Sequence, residues 1–216
     1  QVADQLMELI RGGSLKSGER LPSERDLAEQ FGVSRPTIRE AMIALEIAGL
    51  VEIRSGSGVY VLDARDKSSP QVDDQGPGPF EILEARRLIE GEACALAAER
   101  ITNEQLEQLQ ALLGEIEKEN LQQGATEKAD EEFHCVIAQA AGNSAISATV
   151  AWLWQLRNES EISTRFHQRV REEGIKPIVA DHRRILRALE KRDPAASRRA
   201  MAAHLQRVID HLLEQR

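Results

Sequence analysis

Three histidines and one aspartate occupy positions where helical periodicity predicts a buried face. In "DEEFHCVIAQAAGN", His134 lies on or beside the apolar side marked by Phe133, and Asp130 lies one turn before it. His182 and His204 fall within the apolar series of "IVADHRRILRALEK" and "AMAAHLQRVIDHLL". Burying such groups without partners is costly, and several imidazoles with one carboxylate form a ligand set for a divalent metal. The pattern therefore favours a metal site, whereas a single inward histidine alone is typical of a hydrogen-bonded core residue.

Size and charge exclude several classes of protein. The chain of 216 residues is long enough for one large or two modest domains, and its net charge of -8 excludes coating of nucleic acid by bulk attraction. Residues 1–62 hold seven Lys and Arg against nine Asp and Glu, so any DNA contact must depend on local geometry. The sequence has neither a membrane-length apolar run nor a signal-peptide pattern. We therefore expect a cytoplasmic protein without a membrane partner.

The elements that position these residues divide into two groups. Over residues 1–62, the pattern predicts a short first helix, a second helix capped by Ser23, and a third capped by Ser34 with Pro36 in its first turn. The segment "LVEIRSGSGVYV" then predicts a β-hairpin. Helix, helix, helix and hairpin in this order indicate a winged helix-turn-helix domain.

The remainder of the chain is predicted to be helical. Residues 63–79 are rich in Pro, Gly and Ser and indicate a linker. Beyond it, strand signals disappear and helical patterns follow one another to the end of the chain. They cover residues 81–100, 103–120, 126–142, 144–160, 176–191 and 194–214. We therefore expect a mainly α protein whose residues 80–216 form an all-α antiparallel bundle around the predicted metal site.

Two arginines of the third predicted helix have a spacing that suits DNA. Arg35 and Arg39 are four residues apart, and periodicity places both opposite the apolar stripe, so we expect both to point outward. A recognition helix needs this arrangement, since its guanidinium groups can pair with guanine or clamp phosphate. Arg25, on the preceding helix, could reach the same surface. For two outward arginines alone, the alternative is an ordinary solvated face.

The segment over residues 17–61 resembles the DNA-binding domain of the GntR family of bacterial transcription regulators. It reads "SGERLPSERDLAEQFGVSRPTIREAMIALEIAGLVEIRSGSGVYV". The resemblance implies DNA contacts from both helices and insertion of the hairpin tip into the minor groove, and paired domains imply a homodimer on double-stranded, pseudo-palindromic operator DNA. Pro36 stands where the family often has Thr. The predicted DNA-binding residues are Arg25, Ser34, Arg35, Thr37, Arg39, Ser55, Gly56 and Ser57.

Residues 80–214 look like the FCD ligand-binding domain of the FadR subfamily. The matching segments are "EARRLIEGEACALAAERIT", "DEEFH", "AAGNSAI", "DHRRILRAL" and "AMAAHL". The resemblance implies that one Asp and three His hold a metal ion. Here these ligands are Asp130, His134, His182 and His204. Within the subfamily the chain is most similar to the repressors of hexuronate use, which implies glucuronate, galacturonate or their keto-acid products as effectors.

The predicted metal site defines the chemistry of the effector. Three imidazoles and one oxygen suit zinc or nickel, also accept manganese, and leave positions for water or a ligand. A buried cation favours a small carboxylate or hydroxy acid. The family pattern makes Arg86 a second clamp, with a surface salt bridge to Glu90 as the alternative. Arg157 is a further candidate, and Asn143 either binds the ligand or caps the helix that begins near Ser144.

Repression by an effector-responsive regulator is thus the predicted function, and two other functions are open. A metal-dependent enzyme acting on a sugar acid would need a base near the bound water. Glu131 and Glu132 adjoin the ligand helix, but helical geometry turns both away from the face of Asp130 and His134, so no enzyme is predicted. In a metal-sensing regulator, the ion itself would be the signal.

Overall fold

The structure, a computed structural model, describes residues 2–54, 57–62, 77–122, 127–159, 163–164, 167 and 176–214. Within these ranges the chain is mainly helical, with one two-stranded antiparallel sheet, as the sequence predicts. In chain order the elements are α1 (Val2–Arg11), α2 (Glu24–Phe31), α3 (Arg35–Ile47), β1 (Val51–Arg54), β2 (Gly58–Val61), α4 (Pro79–Arg100), α5 (Asn103–Glu119), α6 (Lys128–Ala140), α7 (Ser144–Glu159), α8 (Val179–Glu190) and α9 (Pro194–Glu214).

Local capping residues set the beginnings of α2 and α3. The hydroxyl of Ser23 accepts the N–H of Asp26 at 3.2 Å, and that of Ser34 accepts the N–H of Thr37 at 3.3 Å. Each serine satisfies one of the N–H groups that a helix leaves without an internal partner. Gly32 ends α2 in the left-handed region at φ 66°, where glycine has no Cβ penalty. These two predicted helices are therefore confirmed.

The hairpin follows α3 directly. Val51 of β1 pairs with Val61 of β2, and Arg54 pairs with Gly58 at the other end of the ladder. Val51 and Val61 are both buried and join the core of the first three helices. Residues 55–56 of the turn and residues 63–76 of the predicted linker lie outside the described residues.

The helix α4 begins within the predicted linker, at Pro79. Gly78 is its N-cap, and the N–H of Gly78 donates to the carboxylate of Glu81 at 3.0 Å. Proline in the first turn and an acidic residue three positions after the cap are both favourable at a helix start. Because of these local signals, α4 begins at Pro79, before the predicted helical pattern that covers residues 81–100.

Two large hydrophobic cores and a small cluster of Ala138, Val150 and Trp154 hold the described elements together. The first joins α1–α3 to the hairpin and is built around side chains such as Leu6, Ile38, Leu45 and Val61. The second lies among α4–α6, α8 and α9, and α7 packs on α4 and α6. No helix within the described ranges is long and apolar enough to cross a membrane.

Candidate functional site

Four side chains that could bind a metal meet in the second core. Asp130 and His134 project from α6, His182 from α8 and His204 from α9. Each offers one ligand atom, and these atoms all lie within 4.8 Å of one another. The three imidazoles are at most 3% exposed and Asp130 is 9% exposed. The structure thus brings together all four residues that the sequence singles out as metal ligands.

Asp130 lies at the centre of this cluster. Its Oδ1 is 2.6 Å from His182 Nε2 and 3.7 Å from His134 Nε2. The rings of His182 and His204 have their centroids 4.5 Å apart, and that of His134 is 5.3 Å from His204. His134 Nε2 is buried and has no hydrogen-bond partner among the described residues. A buried nitrogen lone pair of this kind is available to a cation.

In each of the three histidines, Nδ1 faces an oxygen atom that can accept a hydrogen bond. His134 Nδ1 donates to the carboxylate of Glu90, and His182 Nδ1 donates to the Ile178 carbonyl at 3.0 Å. His204 Nδ1 lies 3.6 Å from Oδ2 of Asp181. Such outer acceptors fix the tautomer of a histidine and turn its other nitrogen toward the ligand position.

Charge in the cluster is set by burial and by close neighbours. For Asp130, burial favours a raised pKa, but the charge and hydrogen bond of His182 outweigh it and the pKa lies below its ordinary value. For Glu90, burial is likewise outweighed by Arg86 and His134, which lower the pKa to about 2. Burial, with smaller contributions from the neighbouring imidazoles, lowers the pKa of His204 to about 4. At neutral pH, both carboxylates are therefore ionised and His204 is uncharged.

Two buried arginines face one tryptophan beside the cluster. Arg86 is 3% exposed, and its Nε donates to Glu90 at 2.6 Å, so this ion pair is buried and not at the surface. Its Cζ lies 3.8 Å from the ring centroid of Trp154, and that of Arg157 lies 5.0 Å from the same ring. Arg157 also pairs with the carboxylate of Glu127. Two of the three predicted effector residues, Arg86 and Arg157, thus lie in one buried region, and each is paired with a carboxylate.

Asn143 lies apart from this region. Its side chain is exposed, and its Oδ1 accepts the N–H of Ala145 at 3.0 Å and of Ile146 at 3.3 Å. The residue therefore caps α7, which is the second of its two predicted roles. Its contact with an effector stays a prediction that this placement does not support.

Sequence reasoning overlooked three residues that shape the site. Glu90 accepts a hydrogen bond from His134, Asp181 lies 3.6 Å from His204 Nδ1, and Trp154 lies 5.6 Å from the ring of His134, centroid to centroid. Asp181 directly precedes His182 in the sequence but faces His204 on another helix. The sequence pattern indicates Glu90 only as a partner of Arg86. Glu90 offered a signal, since a carboxylate on an otherwise apolar helix face needs a partner.

The predicted DNA-contact residues occupy different environments. The side chains of Arg25 and Arg35 are 84% and 52% exposed. Ser34 and Thr37 share a hydroxyl contact of 2.9 Å at the start of α3, and Ser57 is exposed beside the hairpin. Ser55 and Gly56, also predicted to touch DNA, lie outside the described residues.

Arg39 departs from the expectation that both arginines of α3 point outward. The residue is 8% exposed, and its guanidinium forms two hydrogen bonds with the carboxylate of Glu24. Because α2 packs against α3, Glu24 in the first turn of α2 reaches the polar face of α3 on which Arg39 lies. The prediction of an outward Arg39 is therefore wrong for this conformation, and its contact with DNA stays a prediction.

The helix-turn-helix with its hairpin and the all-α second part define a DNA-binding transcriptional regulator. Residues 1–61 match the bacterial regulatory proteins of the gntR family, and residues 81–207 match the FCD domain. The chain belongs to the GntR family of regulators that carry an FCD domain. This confirms the resemblance seen in the sequence, and members of the family to which it is similar are regulators, not enzymes.

Individual relatives align along nearly the whole chain. The Uxu operon transcriptional regulator of Escherichia coli K12 is 38% identical over 99% of this chain and 86% of the relative. The Exu regulon transcriptional regulator of the same organism is 34% identical over 95% of this chain and 81% of the relative. Among solved structures, a GntR protein of Streptococcus agalactiae matches at 29% identity and a TM-score of 0.50, with 98% of each chain covered. Escherichia coli McbR/YncC, 24% identical, matches in fold with a TM-score of 0.52 over 100% of this chain and 96% of that one.

Proposed function

We propose that the protein is a homodimeric repressor that leaves its operator when a small sugar acid, such as a hexuronate, binds at a metal site in the FCD domain. The observation that carries the proposal is the convergence of Asp130, His134, His182 and His204 inside the bundle. The proposed ion is zinc or nickel, with manganese as a third candidate, because nitrogen-rich sites with one carboxylate suit these metals.

The chemistry of the donor set supports a metal. Two of the four side chains already have the protonation state of metal ligands at neutral pH, since Asp130 is ionised and His204 is uncharged. Glu90 and the Ile178 carbonyl hold two of the imidazoles so that the Nε2 atoms face the cluster. When bound, the ion supplies a positive charge and an open position for an oxygen of the effector.

The two buried arginines support an acidic effector. Arg86 and Arg157 each lie close to the ring of Trp154, and the indole Nε1 has no hydrogen-bond partner among the described residues. A carboxylate can accept paired hydrogen bonds from a guanidinium, and hydroxyl groups of a sugar acid can accept from the indole. Glu90 and Glu127 balance the two arginines until an acid binds. The relatives named for the Uxu operon and the Exu regulon, both of hexuronate use, support a hexuronate in particular.

Negative regulation follows from competition between two conformations. The effector binds best to an arrangement of the bundle that separates or rotates the two DNA-binding domains of the dimer, so it lowers operator affinity. Coupling of this kind is reciprocal. Operator DNA must therefore weaken binding of the acid by the same factor.

The test is a titration of zinc-loaded protein with glucuronate and galacturonate, with and without operator DNA selected by the protein from a random library. Metal content and acid affinity are compared between Asp130→Asn and Glu132→Gln, an exposed carboxylate on the same helix. We expect Asp130→Asn to lose both metal and acid, and Glu132→Gln to keep both. Equal acid affinity with and without DNA would remove the regulatory mechanism.

Two other outcomes identify the alternative functions. If chelation abolishes operator binding and no acid has any effect, the ion itself is the signal. If the purified protein converts a sugar acid, the site is catalytic.

A further inference from the structure

The helix α3 takes part in both hydrophobic cores. Ile38 and Leu45 are fully buried in the core of the DNA-binding domain. Ile43, on another face of α3, belongs to the core of the FCD domain together with Phe80 and Leu83 of α4. The helix that presents Arg35 to DNA is thus packed directly against the first helix of the ligand-binding domain.

A hydrogen-bonded contact reinforces this packing. Glu40 of α3 accepts the backbone N–H of Phe80 at 2.5 Å and that of Glu81 at 3.3 Å. These N–H groups belong to the first turn of α4, where they have no partner within the helix. Glu40 therefore caps a helix that lies 40 residues further along the chain and in the other domain.

Gly78 makes room for the contact. A Cβ atom at residue 78 would lie 2.5 Å from Cδ of Glu40. The backbone of Gly78 has φ of -73°, which any residue adopts, so the glycine is needed for the close approach and not for its conformation. An alanine at this position would push the carboxylate away without straining the backbone.

The helix α4 also carries two residues that lie beside the cluster of candidate metal ligands. Arg86 and Glu90 lie six and ten residues after Phe80 on α4, which is one unbroken helix of 22 residues. At a rise of about 1.5 Å per residue, they are roughly 9 and 15 Å from the capped end. Glu90 contacts His134, and Arg86 contacts Trp154. A displacement of α4 at either end therefore reaches the other end through a rigid element.

We propose that Glu40 is the positioning residue that couples the two domains: its hydrogen bonds to the first turn of α4 fix α3, and changes at Arg86 and Glu90 reach the DNA-contact surface through this contact. The part of this proposal that concerns Arg86 and Glu90 rests on the function proposed above. The contact of Glu40 with α4, and its effect on α3, do not depend on any ligand.

The capping contact can be broken from either side. Glu40→Ala removes the carboxylate, and Gly78→Ala displaces it while leaving it in the chain. Glu84→Ala is the matched control, because Glu84 is an exposed carboxylate on α4. Adding Gly78→Ala to Glu40→Ala should change nothing further, since the alanine methyl then has no carboxylate to displace.

The decisive measurement is amide hydrogen exchange across residues 79–90 of the full-length protein, with and without operator DNA selected by the wild-type protein. We expect DNA to change exchange at least about fivefold in the wild type and in Glu84→Ala, and to leave it unchanged in Glu40→Ala and Gly78→Ala. The coupling is refuted if α4 ignores DNA in the wild type, or if the variants respond as the wild type does. Thermal unfolding checks that each variant is folded. If Glu40→Ala does not fold, the response of Gly78→Ala to DNA tests the coupling.

A second arm separates this coupling from the proposed function. Operator affinity is measured with and without galacturonate on zinc-loaded protein, and galacturonate binding is measured by calorimetry. We expect Glu40→Ala and Gly78→Ala to bind galacturonate as the wild type does but to lose its effect on operator affinity. A wild type that ignores every acid refutes the proposed effector, and the exchange experiment with DNA then still decides the role of Glu40.

Discussion

Arg39 of α3 and Glu24 of α2 are joined by two hydrogen bonds, 2.9 Å from Nε to Oε1 and 3.0 Å from Nη2 to Oε2. The side chains are only 10% and 15% exposed, so the pair lies largely away from water. Paired geometry of this kind is the strongest form of an arginine–carboxylate contact. The pair therefore links the two helices that the resemblance to the family assigns to DNA contact.

Replacing Arg39 with Ala leaves the Glu24 carboxylate without its bidentate partner. We expect the free energy of unfolding to fall by about 1–3 kcal/mol, which is typical for the loss of a hydrogen-bonded charged group. Arg25→Ala, whose side chain is 84% exposed, is the control and should change stability by less than about 0.5 kcal/mol. Urea unfolding of the full-length protein measures both. Equal losses in the two variants would show that the Arg39 pair adds nothing to stability.

Arg35 presents a more exposed guanidinium than Arg39 on the same helix. We expect Arg35→Ala to weaken operator binding without changing the unfolding free energy. If the lost contact is to phosphate, the slope of log affinity against log salt becomes shallower by about 0.9. Arg198→Ala removes the same charge from an exposed position on α9 and should leave DNA affinity unchanged. Operator affinity that is unchanged in Arg35→Ala contradicts the predicted contact.

Features that depend on neighbours in the sequence were predictable. The serine caps of α2 and α3 and the hairpin follow from residues only a few positions apart. The meeting of three histidines and Asp130 was also foreseeable, because periodicity places each on an inner face and a small bundle has one interior. In this case a local pattern was enough to infer a distant contact.

Contacts that depend on how two helices face each other were not predictable from periodicity. Glu24 meets Arg39 because α2 crosses α3 at that point, and Asp181 meets His204 because α8 packs on α9. Helical periodicity states which face is apolar, but it does not state which charge of a second helix lies opposite. The cap of α4 by Glu40 has the same origin, since it joins residues 40 positions apart.

Glu40 should make stability depend on pH. Burial raises the pKa of the Glu40 carboxyl group to about 7. The hydrogen bond from the N–H of Phe80 acts to lower this pKa, and the negative charge of Glu81 acts to raise it further. The ordinary pKa of a glutamate side chain is 4.5, so between pH 4.5 and about 7 the folded state binds more protons than the unfolded chain. The contribution of Glu40 to stability is therefore full below this range and is lost as pH rises through it. We expect Glu40→Gln to decline less in stability across this range than the wild type, as measured by chemical unfolding at each pH.

Glu84→Gln is the control for this pH dependence, because Glu84 is exposed on the helix that Glu40 caps. It should follow the wild-type curve. Identical curves for Glu40→Gln and the wild type would show that the carboxylate titrates alike in the folded and unfolded chains.

Glu90 should set metal affinity through His134, although it is not itself a proposed ligand. Its carboxylate accepts the Nδ1–H of His134 and fixes the ring, so Glu90→Gln is expected to weaken zinc binding about 10–100-fold. Competition with a chromogenic chelator measures the affinity, and unfolding in excess EDTA measures the stability of the metal-free variant separately. Glu92→Gln, an exposed carboxylate on the same helix, should bind zinc as the wild type does. Wild-type affinity in Glu90→Gln would remove the positioning role.

Asn143 distinguishes a helix cap from an effector contact. Its side-chain oxygen accepts two N–H groups at the start of α7, so Asn143→Ala should lower the free energy of unfolding by about 0.5–2 kcal/mol. Asn143→Ser keeps a capping oxygen and should retain most of that stability. Both variants are then titrated with galacturonate by calorimetry at a temperature where each is fully folded. Because the cap lies on an exposed helix end, we expect acid affinity to be the same in both variants and in the wild type, whereas a shared loss of affinity would assign the amide to the effector.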